Sequence, residues 1–257
     1  MRWGAPPPRG GGWGGGGGGS YNILGMYVPK VVVWLIGATI FMTAVGAALQ
    51  RNNILPVWEY LVLNPRYAWA GEVWRLFPWV LFEYGFNGLN LIFGCAFLYL
   101  VGRDLAPVWG PRRFLAYYFG MAAASGVLTC LVALVSSSVA RYDYMTMWPV
   151  LDALIIAWAV RNPGTQILIW FVLPLSGRHL IVATCGLTFI WAVMGGFHHY
   201  VPHFAAEVAA LIYNDVFSFR RSYLRARLAM MERQQKRRVP SHLRAVERDD
   251  EPPRWTH

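Results

Sequence analysis

"TMWPVLDALIIAWAVRNP", residues 146–163, decides the fold that the sequence predicts. The stretch is an apolar helix that begins with a Trp-Pro pair and carries Asp152 inside it. A charge in the middle of a membrane costs on the order of 3 kcal/mol on insertion scales, so such residues normally face the interior of a bundle and find partners there. The stretch therefore predicts a membrane helix, from about Trp148 to Val160, whose aspartate points inward.

The composition of the whole chain is that of a multi-pass membrane protein. Of its 257 residues, 56% are hydrophobic and 14% are charged, whereas about a quarter of the residues in a soluble domain are charged. Mean hydropathy is +0.36. Several apolar runs meet or approach the roughly 20 residues that a membrane helix needs. The pattern predicts an all-α fold with six spans, at about 29–49, 86–105, 114–135, 148–160, 180–196 and 202–219.

Two tails flank the predicted membrane domain, 21–219. Residues 1–20 are rich in glycine and proline and are expected to be disordered. Residues 220–257 form a basic tail that is expected to be helical and then disordered. Arginines after spans two, four and six place those ends on the cytosolic side, so both termini are predicted to be cytosolic. Beside a membrane, a basic tail indicates anionic lipid or a cytosolic partner and not nucleic acid.

Three stretches resemble the rhomboid superfamily, and within it the derlins and other members that have lost protease activity. "EVWRLFPWVLFEYGFNGLNLIFGCAFLYLVGRDL", 72–105, is similar to the family's first loop, with its Trp-Arg pair, and its second helix. "AWAVRNPGTQILIWFVLPLSGRHL", 157–180, is similar to the end of the fourth helix and the connector after it. "HFAAEVAALIYNDVF", 203–217, is similar to the sixth helix. The resemblance implies a rhomboid-like bundle of six transmembrane helices.

The resemblance also assigns the positions of a protease site, and most of them have changed. The nucleophilic serine of active members falls at Trp148, with Pro149 where a glycine is expected. An indole is not a nucleophile, and proline removes an N–H that could stabilise an oxyanion. The family's oxyanion-stabilising His and Asn fall at Asn90 and Gly94. These independent losses imply a pseudoprotease.

The sixth helix keeps one catalytic position. The histidine that acts as general base falls at His203, and the Gly-x-x-x-Gly that follows it is replaced by Ala206 and Ala210. Small residues at this spacing still let helices approach closely. Ser125, in the third span, is the one serine considered as a displaced nucleophile, and a packing role is favoured for it.

Three polar residues are expected inside the membrane. His203 and Glu207 lie one turn apart on the same helix face, and in the family fold this helix contacts the one that carries Asp152. We hypothesise a cluster of Asp152, His203 and Glu207 that acts as a structural clamp. The alternative is that each residue faces a water-filled cavity independently. A zinc site through His199 is disfavoured because Pro202 is expected to start the helix and leave His199 in a loop.

Trp74 and Arg75 precede the second span, among many aromatic residues. Tryptophan and arginine at a membrane boundary typically act as anchors. The resemblance implies further that this loop enters one leaflet and thins it, with the Arg75 side chain reaching back to the headgroups.

The favoured function is a non-catalytic protein that binds transmembrane segments of client proteins between the second and fifth helices, in membrane-protein quality control or trafficking. One alternative is an intramembrane serine protease with a displaced nucleophile. Another is a small transporter or channel, which the intramembrane acids favour but the lack of inverted repeats disfavours. No cofactor or metal is expected, and the expected partners are lipids and client helices. The glycine-rich start and the arginine bias favour a bacterial plasma membrane over the endoplasmic reticulum.

Overall fold

The computed structural model describes residues 20–23, 26–51, 57–83, 88–169 and 173–214. These residues form a helical bundle, which confirms the all-α fold class. Of the predicted tails, all but Ser20 lies outside the described residues. The helices are α1 Lys30–Arg51, α2 Val57–Leu61, α3 Pro65–Trp69, α4 Gly88–Trp109, α5 Pro111–Ala133, α6 Ser137–Ala140, α7 Trp148–Arg161, α8 Gly177–Gly195 and α9 Phe197–Tyr213.

Four helices, α1, α4, α5 and α8, are long and apolar enough to cross a membrane. The predicted fourth and sixth spans correspond to α7 and α9, which have 14 and 17 residues. At a rise of about 1.5 Å per residue these two helices are shorter than the roughly 30 Å hydrocarbon core. The multi-pass membrane fold is confirmed, and the number of six spans stays a prediction.

The short helix α7 lies at the centre of the bundle, where it packs against α4, α5, α8 and α9. Every residue from 151 to 159 is buried. A helix that is apolar on nearly every side is stable only when other helices surround it. The neighbours of α7 therefore shield Asp152 from lipid.

Two antiparallel hairpins were not predicted from the sequence. One precedes α1, and the other lies in the apolar connector between α7 and α8, which was predicted only as an interfacial segment. Pairing within a hairpin satisfies backbone groups that would otherwise be costly near lipid. The strands are β1 Ser20–Ile23 with β2 Met26–Pro29, and β3 Gln166–Ile169 with β4 Leu173–Ser176.

The loop between α1 and α4 is organised around the guanidinium of Arg75. This side chain is only 2% exposed and donates to the backbone carbonyls of Glu59 and Val62. It also forms a salt bridge of 2.6 Å with Glu72 and lies 4.8 Å from the ring centre of Tyr67. The prediction that Arg75 reaches the headgroups is therefore wrong, because its donors are used to hold the loop together.

Trp74, the neighbour of Arg75, has the opposite environment. Its side chain is exposed, and its indole N–H donates to the Tyr60 carbonyl at 3.3 Å. The loop thus buries Arg75 and exposes Trp74. It also contains two 3-10 turns, Val73–Leu76 and Pro78–Leu81.

Helix α9 begins at Phe197, before the start that was predicted at Pro202. Proline has no N–H, so the carbonyl of His198, four residues earlier, lacks its helical donor. The Tyr144 hydroxyl donates to this carbonyl at 2.7 Å and replaces the missing bond. His199 consequently lies within the helix, and the prediction that it lies in a loop is wrong.

Candidate functional site

A cleft of about 850 Å³ lies between α4 and α8, with α7 and α9 behind it and residues 142–146 at one end. Phe93 of α4 and Leu187 of α8 line it and are 38% and 55% exposed. The cleft therefore has an apolar rim that opens sideways between two membrane helices. We call this cavity the polar cleft, because Asp152 and His203 lie deeper in its lining.

Asp152 and His203 are in direct contact. The Asp152 Oδ2 lies 2.7 Å from the His203 Nδ1, and both side chains are mostly buried where α7 packs on α9. A carboxylate at Nδ1 fixes the orientation of an imidazole, as in the histidine–aspartate part of a serine protease triad. The structure thus brings together two of the three residues in the hypothesised cluster.

Glu207, the third member, has a different partner. Its carboxylate accepts a hydrogen bond of 2.6 Å from the Thr188 hydroxyl of α8, and the residue is buried. Among the described residues, no hydrogen bond joins Glu207 to His203 or Asp152. The hydrogen bonds thus divide the three residues into two neighbouring pairs, one between α7 and α9 and one between α8 and α9, and the structural clamp of all three stays a prediction.

Glu83, which the sequence analysis did not assign to the site, is a third buried acid beside Asp152 and Glu207. Its carboxylate accepts hydrogen bonds from the Asn90 amide at 2.5 Å and from the Thr146 hydroxyl at 3.1 Å. Burial raises the pKa of the Glu83 carboxyl above its ordinary value, and the hydrogen bonds from Thr146 and Asn90 partly offset this effect. Asn90, assigned by resemblance to an oxyanion position, instead binds Glu83. The sequence did not predict the contact between Glu83 and Asn90, because the two residues are brought together only by the fold.

Trp148 stands in the lining of the polar cleft at the first turn of α7. Its ring meets Phe97 edge to face, with 5.9 Å between the centres. Its buried indole N–H has no hydrogen-bond partner among the described residues. Beside it, Gly94 leaves room for Met147, whose sulfur lies 2.7 Å from where a Cβ at position 94 would be.

The threonine hydroxyl groups of the polar cleft donate to groups other than His203. Thr146 donates to Glu83, Thr188 donates to Glu207, and Thr184 donates to the Leu180 carbonyl. No serine is found among the described residues that line the cleft. A serine or threonine nucleophile must donate its proton to the general base, and each threonine hydroxyl in this lining donates to a group other than His203.

Ser125, considered as a displaced nucleophile, is fully buried on α5. Its hydroxyl donates to the Pro202 carbonyl at 2.6 Å. Ala206 and Ala210 are also fully buried, where α9 packs on α5 and α7. These residues therefore tie α9 into the bundle.

The histidines at the start of α9 form ring contacts. His199 packs edge to face on Tyr142, with 4.5 Å between the ring centres. Within the described part of the chain, no group of three or more His, Cys, Asp or Glu side chains is placed to hold a metal ion.

Comparison with protein families gives a match. The family described as "Eukaryotic integral membrane protein (DUF1751)" matches residues 33–225. No curated protein matches the chain. The match covers α1 from Val33 onward and every later helix to α9, and its eukaryotic description argues against the bacterial membrane that the composition favoured.

Proposed function

The chain belongs to this family of eukaryotic integral membrane proteins. From that premise we propose that it is a rhomboid-like protein without protease activity. In this proposal it binds transmembrane helices of client proteins in the polar cleft. The observation that carries the proposal is Trp148. It stands where the resemblance places the nucleophile, and its indole N–H has no partner.

Loss of cleavage follows from the contents of the cleft. His203 is oriented by Asp152, as a general base would be, but each threonine hydroxyl in the lining already donates to another group. Removing the nucleophile of such a triad leaves only weak residual catalysis. The Asp152–His203 pair then serves to join α7 to α9.

Binding of a helix follows from the shape and polarity of the cleft. Phe93 and Leu187 offer apolar surface at the rim, which suits the lipid-facing side chains of a client. A buried N–H without a partner costs about 1–3 kcal/mol. Because this N–H is buried in the wall of the cleft, a client helix with a polar side chain at that depth would have to displace a neighbouring side chain before it could accept the hydrogen bond from Trp148 and recover this cost.

The orientation in the membrane follows from charge. Lys30, Arg103, Arg112, Arg161 and Arg178 lie at the end of the bundle where α1, α5 and α8 begin and α4 and α7 end. The positive-inside rule supports a cytosolic location for this end. The endoplasmic reticulum, the eukaryotic alternative to the bacterial membrane, is the location that we propose.

Site-specific crosslinking in vesicles tests client binding. A photoreactive amino acid replaces Phe93 or Leu187, and the protein is reconstituted with one of two single-span peptides, polyleucine or polyleucine with a central asparagine. We expect crosslinking to both peptides and more to the asparagine peptide, because the cleft contains polar partners. Neither peptide should be cut.

Two controls sharpen this experiment. The same photoreactive residue at Val127 of α5, which is exposed outside the cleft lining, should crosslink far less. Trp148→Phe keeps an aromatic side chain but deletes the indole N–H. It should lower crosslinking of the asparagine peptide and leave crosslinking of the polyleucine peptide unchanged. Equal crosslinking from Val127 and Leu187 would overturn the proposal of a specific client site.

A further inference from the structure

A second cavity, of about 740 Å³, lies between α1, α4 and α5. Its lining is apolar along most of its length, with Trp34 and Leu35 from α1 and Leu115 and Phe119 from α5. Trp34 is among the most exposed large side chains of the bundle, so the cavity is open towards the surrounding bilayer. We call it the apolar groove.

The mouth of the apolar groove is marked by Lys30. Among the described residues that line the groove, Lys30 is the only charged one, and none is acidic. Its ammonium group lies 5.3 Å from the ring centre of Tyr21. The groove thus combines a single cation with an apolar interior.

The surroundings of this mouth are also basic. Arg112 and Arg113 follow the groove residue Pro111 and are exposed. Two acids lie two residues from the lining in sequence. Glu83 accepts a hydrogen bond from the Asn90 amide, and Asp104 accepts one of 2.9 Å from the Trp158 indole of α7. Helix α7 contributes no residue to the groove, so the Asp104 carboxylate is held on another side of α4. The potential at the mouth is positive.

We propose that the apolar groove binds an anionic phospholipid, with the headgroup phosphate at Lys30 and an acyl chain along Trp34, Leu35 and Phe119. Basic pockets between membrane helices attract anionic headgroups, and the volume lies within the range of about 300–1,000 Å³ typical of ligand sites. An extended protein segment would leave its backbone polar groups unpaired against these apolar walls, whereas an acyl chain has none. The inference does not depend on client binding in the polar cleft.

Thermal stability in detergent tests this proposal. Phosphatidylserine and phosphatidylcholine with identical acyl chains are added to the purified full-length chain, and inorganic phosphate is added in a third series. A ligand that binds only the folded state raises Tm. We expect phosphatidylserine to raise Tm at lower concentration than phosphatidylcholine, and phosphate alone to have no effect.

Two pairs of variants locate the site. Lys30→Glu should raise the phosphatidylserine concentration for half the Tm shift by about fivefold or more, since a basic residue near a headgroup contributes about 1 kcal/mol. Arg178→Glu, an exposed basic residue on α8 outside the groove lining, should not change it. Ala38→Trp fills the groove and should abolish the shift, whereas Ala44→Trp, on an exposed part of α1, should leave it intact.

Several results would overturn the inference. Equal effects of the two lipids would exclude recognition of the headgroup charge, and an effect of phosphate alone would indicate an anion site without a lipid chain. Equal effects of Lys30→Glu and Arg178→Glu would indicate general charge attraction. If Ala38→Trp does not fold, the selectivity of the unmodified protein and the Lys30 pair decide the question.

Discussion

The two cavities of the bundle have similar volumes, about 850 and 740 Å³, but different contents. The polar cleft contains Asp152 and His203 deep in its wall, whereas the apolar groove contains Lys30 at its mouth and apolar side chains beyond it. Buried polar groups are stabilised only by partners of matching chemistry. The comparison teaches that the depth of the polar groups, more than the size of a cavity, distinguishes the two occupants that we propose: a helix with polar groups of its own for the cleft, and a lipid for the groove.

The largest effect is expected where α8, one wall of the polar cleft, begins against the end of α7. A Cβ at Gly177 would lie 2.5 Å from the Asn162 carbonyl oxygen and 2.6 Å from that of Ala159. Backbone atoms cannot move aside as a side chain can, so Gly177→Ala should cost about 3 kcal/mol of unfolding free energy. Thermal unfolding in detergent measures this loss, and lipid binding in the apolar groove should survive at temperatures where the variant is folded.

Gly186 provides the matched control on the same helix. A Cβ there meets nothing within 4 Å, and alanine is a better helix former than glycine by about 1 kcal/mol. Gly186→Ala should therefore be neutral or stabilising. If Gly186→Ala lost as much stability as Gly177→Ala, the loss at Gly177 could not be attributed to the close approach of α8 to α7.

The next largest loss of stability is expected from breaking the Asp152–His203 pair, which the polar cleft has and the apolar groove lacks. Breaking a buried ion pair in a soluble protein costs about 3–5 kcal/mol, while hydrogen bonds between membrane helices average about 0.6 kcal/mol. Since Asp152 and His203 line a cavity, we expect an intermediate loss of about 2 kcal/mol for Asp152→Ala or His203→Ala. The double variant should lose less than the sum, because each single change removes the same bond. Additive losses would show that the two residues act independently.

Alanine substitutions at two glycines of α4 compare how tightly this helix packs near each cavity. A Cβ at Gly102, on the side of the apolar groove, would lie 2.8 Å from a methyl group of Val32, and a Cβ at Gly94 would lie 2.7 Å from the Met147 sulfur. Valine is stiff about χ1 and methionine is flexible. Gly102→Ala should therefore cost about 1.5 kcal/mol and Gly94→Ala less than about 0.5 kcal/mol. The same unfolding experiment tests both, and the reverse order would contradict the account.

The smallest effect is a pH dependence at Glu83. Its carboxyl has a pKa raised by burial, so the folded state holds its proton to higher pH than the unfolded state. This contribution to stability is constant below the unfolded pKa of about 4.5, decreases as pH rises towards the folded pKa, and is then lost. Glu83→Gln should flatten the decline in Tm above pH 4.5. Parallel curves for the two proteins would contradict the raised pKa.

The sequence predicted the order of the long helices well, because apolar runs and the breaks between them are local signals. It predicted α7 and the inward position of Asp152 for the same reason. It misplaced the start of α9 because Pro202 usually begins a helix, and the Tyr144 hydroxyl that lets the helix continue past it comes from a distant loop. The bond between Asp152 and His203 needed the packing of two helices, which the resemblance implied.

The polar groups that the sequence analysis missed depend on tertiary contacts. The sequence analysis interpreted Arg75 as a headgroup anchor. It missed the buried role of this residue because two of its acceptors are backbone carbonyls, which have no signature in the sequence. Glu83 meets Asn90 and Thr146 only in the folded bundle. The apolar groove likewise forms from three helices whose exposed faces look individually like ordinary lipid-facing surface.

One measurement tests most directly the claim that this scaffold holds a membrane helix without cutting it. The purified protein, in vesicles with a single-span model substrate, is treated with a fluorophosphonate probe, and both covalent labelling and substrate fragments are measured. We expect neither label nor fragments, because Trp148 cannot attack a carbonyl and Ser125 is bound to Pro202. Fragments and a label that both disappear when a single serine is replaced would contradict the claim.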